Sequence, residues 1–308
     1  MNRAVRIHAY GGQELVQVDQ VDVPAPGAGE VLVRVRAAGV NALDWKIRQG
    51  YLQAVFPLAL PAALGIELAG EVIALGDGVT GFAPGDRVMG ALGRLGAYAD
   101  AVAIDAHRLA LVPQGLDDVQ AAALPVAGLT AWQALRAAGP LLPGRQVLIH
   151  GASGAVGGFA VQFAKAAGAV VLATASAASR AHVLALGADR VFDRHAERFE
   201  EQVGDVALVL DLVGGDALDR SWQVLAADGA IVSTAAPDIG ARVPGGRRGL
   251  WFTMVPDRRQ LGEIAGMVAA GTVRSTIARV TGIDGLAQAI EQTHTGHAPG
   301  KVVVDFSR

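Results

Sequence analysis

The first part of the chain alternates short apolar runs with glycine and proline. β-Branched residues dominate VLVRVRAAGV, LAGEVIALG and DRVMGAL, and GDGVTGFAPGD places several turn signals between two of these runs. Short runs of this kind, bounded by turn residues, are typical of strands. The pattern therefore predicts a compact all-β unit from residue 1 to about 113, followed by helical spacing over 119–138.

Apolar strands and helical segments alternate in the next part of the chain. The helices are predicted at 155–167, 179–186 and 217–226, between the strands QVLIHG, VVLATAS, VALVLDLVG and AIVSTA. Such alternation builds a parallel sheet with helices on both faces.

Two strands with a helix between them close the chain. The strands are STIARV and GKVVVDF, and the helix is predicted at 284–292. We therefore predict an α/β protein with two domains. A β-rich domain (1–122 and 275–308) carries an inserted, doubly wound parallel-sheet domain (123–274).

Composition supports two cores and excludes several classes of partner. Of 308 residues, 52% are hydrophobic and 18% charged, which suffices for two domains. A net charge of −3 provides no basic field for nucleic acid. Polar residues interrupt every apolar run before the roughly 20 residues of a spanning helix, and MNRAVRIHAYGG does not resemble a signal peptide. We expect no nucleic-acid partner, no membrane insertion and a cytoplasmic location.

The strongest local motif is QVLIHGASGAVGGFAVQFAKAAGA, a strand, a glycine-rich turn and a helix. Gly151 or Ala152 permits a tight turn, Gly154 lets the backbone approach a diphosphate, and Gly157 allows close helix packing. The helix N-terminus then offers free N–H groups to an anion. We predict that a dinucleotide binds here, at Gly151, Ala152, Ser153, Gly154, Ala155, Val156 and Gly157.

The strand after this helix determines which dinucleotide we expect. An NAD site normally ends that strand with an acid for the ribose 2′-hydroxyl, whereas VVLATASAASRA supplies Ser176, Ser179 and Arg180 and no acid before Asp189. These donors suit a 2′-phosphate, which predicts NADPH. In the alternative interpretation, Arg180 is a solvated helix residue and the serines only cap that helix.

Seven distinctive stretches run in order through nearly the whole chain. They are AAGVNALDWKIRQG, LGIELAGEVIALGDGVTGFAPGDRVMG, AAALPVAGLTAWQAL, VLIHGASGAVGGFAVQFAKAAGA, VLDLVGGD, DGAIVS and GKVVV. Together they resemble the zinc-independent quinone oxidoreductases, related to zeta-crystallin, of the medium-chain dehydrogenase/reductase superfamily. The resemblance implies a GroES-like catalytic domain, an inserted Rossmann domain with the active site in the cleft between them, and a homodimer.

The same resemblance implies a reaction without a metal. Asn41 stands where zinc-dependent relatives have a cysteine ligand, and Ile66 stands where they have histidine, which leaves Glu67 alone. The chain has no cysteine, and its histidines show no convincing pair at metal-ligand spacing; the nearest is His294 with His297. Without a Lewis acid the acceptor must already be electrophilic, as quinones and α,β-unsaturated carbonyls are.

Three residues are candidates for the catalytic site. Asn41 and Asp44 match the family's N-x-x-D position, and Tyr51 follows Gly50 where relatives often carry a cleft tyrosine able to donate a proton. The alternatives are structural: Asp44 caps the short helix LDWKIRQ, Asn41 bonds its loop backbone, and Tyr51 is partly buried.

Three further residues are candidates for cofactor contacts. By resemblance, Thr130 lies at the nicotinamide end and Lys301 reaches the cofactor, while Ser233 follows a strand at the carboxyl edge of the sheet. Alternatively, Thr130 bonds its own helix backbone and Lys301 is a solvated residue at the start of a strand.

We therefore expect an NADPH-dependent reductase of quinones or enones, with solvent or Tyr51 supplying the proton. Two rivals stay open at this point. One is an enoyl or alkenal double-bond reductase of the same fold, and the other is a non-enzymatic NADPH-binding sensor or structural protein.

Overall fold

A computed structural model describes residues 1–295 and 298–308. Its strands are β1 (Asn2–Ile7), β2 (Val16–Val21), β3 (Glu30–Val40), β4 (Ala62–Ala63), β5 (Glu67–Leu75), β6 (Arg87–Ala91), β7 (Ala101–Asp105), β8 (Leu109–Leu111), β9 (Gln146–His150), β10 (Val170–Ala175), β11 (Arg190–Asp193), β12 (Val206–Asp211), β13 (Leu225–Ser233), β14 (Arg248–Trp251), β15 (Ile277–Thr281) and β16 (Lys301–Asp305). Its α-helices are α1 (Ala42–Arg48), α2 (Asp118–Ala122), α3 (Pro125–Ala134), α4 (Ala155–Ala166), α5 (Arg180–Ala185), α6 (Gly215–Ser221), α7 (Arg258–Ala269) and α8 (Leu286–Thr295).

The described residues divide into two compact units. Unit 1 comprises Met1–Val126, Pro256–Thr272 and Ile277–Arg308, and unit 2 comprises Ala127–Val255 and Val273–Thr276. The domain boundaries predicted from sequence stay a prediction. They differ from these units mainly over Pro256–Thr272, where Arg258 lies 5.1 Å above the Phe82 ring and ties α7 to unit 1.

Unit 1 is built on a mainly antiparallel sheet. Its strand order is β15-β16-β3-β5-β6-β8, with β7 also paired to β3, and a smaller sheet has the order β2-β1-β4. The long strand β3 is central because its apolar residues Val31, Val33 and Val35 are buried. Pairing of β16 and β5 on either side of β3 brings the beginnings of both strands to the end of β3, near Gly39.

Unit 2 is a six-stranded parallel sheet with the order β11-β10-β9-β12-β13-β14. The order reverses between β10 and β12, on either side of β9. In an open parallel sheet, ligands bind outside the carboxyl ends of the strands at this reversal. Together with unit 1, this sheet confirms the α/β fold class.

Two predicted helices have different limits in the structure. The segment predicted as a helix over 217–226 is helical only over Gly215–Ser221, because Leu225 begins β13 and pairs with Val206. The helical spacing at 119–138 corresponds to two helices, α2 and α3, rather than one. None of the helices within 1–295 and 298–308 has the length and apolar content needed to cross a membrane.

Candidate functional site

The glycine turn of unit 2 joins β9 to α4. Gly151 has a φ of +73°, in the left-handed region that favours glycine, so it makes the tight turn that the sequence left between Gly151 and Ala152. A Cβ on Gly157 would lie 2.3 Å from the Gly151 carbonyl oxygen and 2.6 Å from the Ala152 Cα. Only glycine therefore lets α4 begin this close to the turn.

The exposed side of the same turn fits an anionic ligand. Gly154 is the exposed N-cap of α4, and a Cβ there would approach the Gly151 oxygen no closer than 3.4 Å. Ser153, Ala155 and Val156 are partly exposed, whereas Ala152 and Gly157 are buried. The twelve-residue helix α4 presents its first N–H groups here, which is the arrangement that binds a diphosphate.

A buried histidine precedes the turn. His150, the last residue of β9, is 3.0 Å or less from two hydroxyls: Nδ1 lies 2.9 Å from Thr174 Oγ1 and Nε2 lies 2.8 Å from Ser221 Oγ. Burial lowers the pKa of His150 to about 4, although the Asp211 carboxylate acts in the opposite direction. The imidazole is neutral at pH 7 and links β9 to β10 and α6. Sequence reasoning missed it, because a histidine in an apolar strand carries no local signal.

The end of β10 carries the predicted 2′-phosphate residues. Ser179 is buried, and Ser176 Oγ donates to Ser179 Oγ at 3.1 Å. In the described structure neither serine side chain caps the helical turns that follow. Arg180 is partly exposed, and its guanidinium donates to the carboxylate of Glu197, which follows β11. Sequence reasoning missed Glu197 because it comes after the next strand along the chain.

Asp211 and Ser233 end the neighbouring strands β12 and β13. Ser233 Oγ donates to Asp211 Oδ2 at 2.6 Å and accepts the N–H groups of Ala235 and Ala236. Asp211 Oδ1 accepts the N–H of Gly214 at 2.8 Å. Ser233, predicted as a cofactor contact, thus lies at the expected edge of the sheet and holds its loops together.

Unit 1 contains a buried polar cluster of Lys301, Glu67 and Asn41. Lys301 Nζ lies 2.5 Å from Glu67 Oε1 and 2.6 Å from Asn41 Oδ1, while Asn41 Nδ2 donates to Glu67 Oε1 at 2.9 Å. The second carboxylate oxygen of Glu67 accepts the N–H of Val126 at 2.7 Å. A Cβ on Gly39 would lie 2.4 Å from Glu67 Oε1, so glycine is required to make room for the cluster.

These contacts test the structural alternatives for Lys301 and Asn41, and the bond of Asn41 to its loop backbone is confirmed. The Lys301 side chain is only 4% exposed, so the alternative of a solvated lysine is wrong. Every polar side-chain atom of Asn41 has a partner, because Nδ2 also donates to the Gly39 carbonyl. The amide is therefore held in one orientation. Contact of Lys301 or Asn41 with a cofactor or substrate stays a prediction.

Asp44 is fully buried beside Tyr98. Tyr98 donates its hydroxyl to Asp44 Oδ2 at 2.7 Å, and the same oxygen accepts the Asn41 backbone N–H at 2.7 Å. Burial raises the pKa of Asp44 to about 6, although both hydrogen bonds act to lower it, and burial also raises the pKa of Tyr98 well above its usual value. Asn41 is the N-cap of α1, and Asp44 completes a capping box from the third helical position, so Asp44 does help to cap the helix, as the structural alternative expected, although not as its N-cap. Tyr98, within GAYADAV, carries no motif that reveals this role.

The remaining candidates lie elsewhere in their units. Tyr51 is 69% exposed and meets Trp45 edge-on, with 5.7 Å between ring centroids, so the alternative of a partly buried tyrosine is wrong. Thr130 is buried in α3. His294 stacks on Trp45 at 4.0 Å, and His297 lies outside the described residues. A catalytic role for Tyr51 and a cofactor contact for Thr130 stay predictions.

Comparisons with known proteins agree with both units. Residues 27–114 match the alcohol dehydrogenase GroES-like domain, and residues 186–304 match a family described as zinc-binding dehydrogenase. Quinone oxidoreductase of Pseudomonas aeruginosa is 38% identical over 240 residues, which cover 76% of this chain and 73% of that protein. Erythronolide synthase EryA2 of Saccharopolyspora erythraea is 38% identical over 302 residues, 92% of this chain, but the chain spans only 8% of that protein's length.

Solved structures give the same result over the full chain. The quinone oxidoreductase from Coxiella burnetii has a TM-score of 0.93 at 32% identity and covers 99% of both chains. The quinone oxidoreductase of Escherichia coli, solved as a complex with NADPH, has a TM-score of 0.89 at 29% identity and covers 99% of this chain and 100% of its own. These matches confirm the GroES-like and Rossmann domains and the family that the motifs indicated. The chain belongs to the quinone oxidoreductase branch of the medium-chain dehydrogenase/reductase superfamily, and it is an oxidoreductase enzyme that uses a nicotinamide cofactor.

Proposed function

We propose that the enzyme transfers hydride from NADPH to a quinone or an α,β-unsaturated carbonyl without a zinc ion. The observation that carries this proposal is the buried contact between Lys301 and Glu67. When bound, the reduced nicotinamide supplies the hydride. The residues of this chain bind and orient the reactants.

The donor set of unit 1 does not fit zinc. Structural and catalytic zinc sites use thiolates, imidazoles and carboxylates, and here the carboxylate of Glu67 already has partners for both oxygens. A zinc ion at Glu67 would also meet the ammonium of Lys301, 2.5 Å away. Within residues 1–295 and 298–308 no group of three histidine, aspartate or glutamate side chains is arranged to hold a metal ion.

This donor set supports the proposed acceptor class. Without a Lewis acid the enzyme relies on an acceptor that is already electrophilic, and quinones and enones meet that condition. The exposed phenol of Tyr51 or solvent supplies the proton to the reduced acceptor. Asn41, held by Lys301 and Glu67, is a positioning residue in this proposal.

The choice of NADPH rests on the edge of unit 2. Ser176, Ser179 and Arg180 follow the second strand, where an NAD enzyme normally has an acid. A 2′-phosphate would find the Arg180 guanidinium there. The E. coli relative solved with NADPH supports the same choice. By family resemblance we further propose that the enzyme is a cytoplasmic homodimer.

Enone reduction has its own support as a second candidate. The long match to a segment of erythronolide synthase shows that relatives of this chain are not confined to proteins named for quinones. The glycine turn and the Arg180 edge of unit 2, and the polar cluster of unit 1, would serve either acceptor. Only the product distinguishes the two reactions.

The test is the initial rate of NADPH and NADH oxidation with p-benzoquinone and with a conjugated enone. We expect NADPH to be preferred and at least one acceptor to be reduced, with mass spectrometry of the product showing a hydroquinone or a saturated carbonyl. Reduction of neither acceptor would contradict the proposed acceptor class. A preference for NADH would contradict the proposed cofactor.

A further inference from the structure

The ion pair between Arg180 and Glu197 lies at the carboxyl edge of the unit 2 sheet. Arg180 begins α5 just after β10, and Glu197 follows β11, which pairs with β10. The guanidinium donates to Glu197 Oε1. Their side chains are 41% and 29% exposed, so the pair is open to solvent and to a ligand.

Glu197 is held at this edge independently of Arg180. Its backbone N–H donates to the Asp193 carbonyl at 2.9 Å, and its Oε1 accepts the Asp193 N–H at 3.3 Å. The hydrogen bond from Arg180 keeps the pKa of Glu197 below its ordinary value. The carboxylate is therefore ionised and stays in place at neutral pH.

Acidic and basic side chains are mixed at this edge of the sheet. Asp193 Oδ1 accepts the backbone N–H of His195 at 2.8 Å, and Arg194 Nε donates to His195 Nε2 at 2.9 Å. Two acids thus stand beside Arg180 and Arg194. A 2′-phosphate arriving here would not meet a free guanidinium but one that already has an anionic partner.

We propose that Glu197 is a specificity-determining residue that limits the preference for NADPH over NADH by competing with the 2′-phosphate for Arg180. This rests on the proposed use of NADPH. With NADH bound, or with no cofactor, Arg180 keeps Glu197 as its partner. With NADPH bound, Arg180 exchanges the Glu197 carboxylate for the 2′-phosphate. Breaking the ion pair with Glu197 costs free energy, so NADPH binds more weakly than it would to an unpaired Arg180.

The direct test is the Kd of NADPH and of NADH for the Glu197→Gln variant, measured by fluorescence titration at low ionic strength. Removing the competing charge should tighten NADPH binding about three- to fivefold, the range of one exposed ion pair, and change NADH binding by less than about twofold. The gain should shrink with added salt, because exposed charges are screened. Glu197→Asp, which keeps the charge, should shift NADPH affinity less than Glu197→Gln.

A double-mutant cycle tests whether the effect passes through Arg180. In an Arg180→Gln background, Glu197→Gln should leave the Kd of both cofactors unchanged within about twofold. Without the Arg180 guanidinium, Glu197 and the 2′-phosphate no longer compete for the same partner. The matched control is Asp228→Asn, which removes the same charge from an exposed pair with Arg145 at the amino edge of the same sheet. This control should alter neither Kd.

Each outcome separates this inference from the function on which it rests. If the wild type prefers NADPH and Glu197→Gln leaves the ratio of the two Kd values unchanged, the inference is wrong and the cofactor proposal stands. The inference is also wrong if the gain persists in the Arg180→Gln background or appears in Asp228→Asn. If Arg180→Gln weakens NADPH and NADH equally, the NADPH preference of this edge is itself wrong.

Discussion

The polar cluster of unit 1 and the glycine turn of unit 2 use opposite electrostatic designs. The cluster buries ionisable groups, with Lys301 against Glu67 and Asp44 against Tyr98. The turn instead offers backbone N–H groups, and the buried imidazole of His150 that precedes it is neutral at pH 7. In our proposal the backbone N–H groups of the turn bind the diphosphate, and Lys301 supplies the positive charge beside Glu67.

The largest expected effect comes from removing the internal cation. Lys301→Met leaves the Glu67 carboxylate buried without its cation, and the free energy of unfolding should fall by about 3–5 kcal/mol. Urea unfolding at pH 7 measures this loss. Adding Glu67→Gln should recover most of it, because the double variant buries no unpaired charge.

An exposed ion pair in unit 2 provides the contrast. Lys165 contacts Asp189 at 2.5 Å, but its side chain is 46% exposed. Lys165→Met should therefore cost less than about 1 kcal/mol. Equal losses for Lys165→Met and Lys301→Met would show that burial does not strengthen the Lys301 contact.

The buried histidine of unit 2 should make its unit less stable in acid. The folded pKa of His150 is about 4, below its ordinary value of 6.5, so its contribution to the free energy of unfolding is present above pH 6.5 and is lost as the pH falls towards 4. The wild type's advantage in unfolding free energy over His150→Gln should shrink by about 3 kcal/mol across this window. Urea unfolding of both proteins at intervals from pH 7 to 4 measures it, and a constant difference would contradict a buried neutral imidazole.

Asp44 in unit 1 should respond in the opposite direction. Its folded pKa is about 6, above its ordinary value of 3.8, so its contribution to the free energy of unfolding is present below pH 3.8 and is lost as the pH rises through 6. The wild type's advantage over Asp44→Asn should therefore be greatest near pH 4 and shrink by up to about 3 kcal/mol by pH 7. The same titration measures it. An advantage that grows with pH would mean that Asp44 is stabilised as a carboxylate.

A smaller effect than those of the buried ionisable groups is expected from one methyl group in the turn. Gly157→Ala places a Cβ 2.3 Å from the Gly151 oxygen, which should cost about 1–3 kcal/mol. Gly158→Ala, whose Cβ meets only Leu186 Cδ1 at 3.4 Å, should instead gain up to about 1 kcal/mol from helix propensity. Thermal unfolding of the two neighbouring variants compares them, and similar melting temperatures would contradict the close packing of α4 on the turn.

The turn was predictable because its parts are consecutive in sequence. Glycines at 151, 154 and 157, between an apolar strand and an amphipathic helix, specify backbone geometry directly. The alternation of strands and helices predicted the parallel sheet for the same reason, and the structure confirms it. Only the predicted ends of some helices were wrong. At Leu225, for example, the residue pairs with Val206 in the sheet although the sequence has helical spacing there.

The cluster was only partly predictable because it is assembled from distant segments. Asn41, Asp44 and Lys301 were found through family motifs, but nothing in the sequence pairs Lys301 with Glu67 or Asp44 with Tyr98. Those contacts depend on strand register around β3 and on the space at Gly39. Glu197 was missed for the same reason, since its partner Arg180 lies on a different strand–helix connection.

We propose that the Lys301–Glu67 cluster serves a reductase that needs no zinc. The most direct test is the turnover of NADPH with p-benzoquinone by enzyme dialysed against a strong chelator, with and without added zinc. We expect full turnover after chelation and no gain when zinc is restored. Loss of turnover on chelation, with recovery on adding zinc, would contradict it.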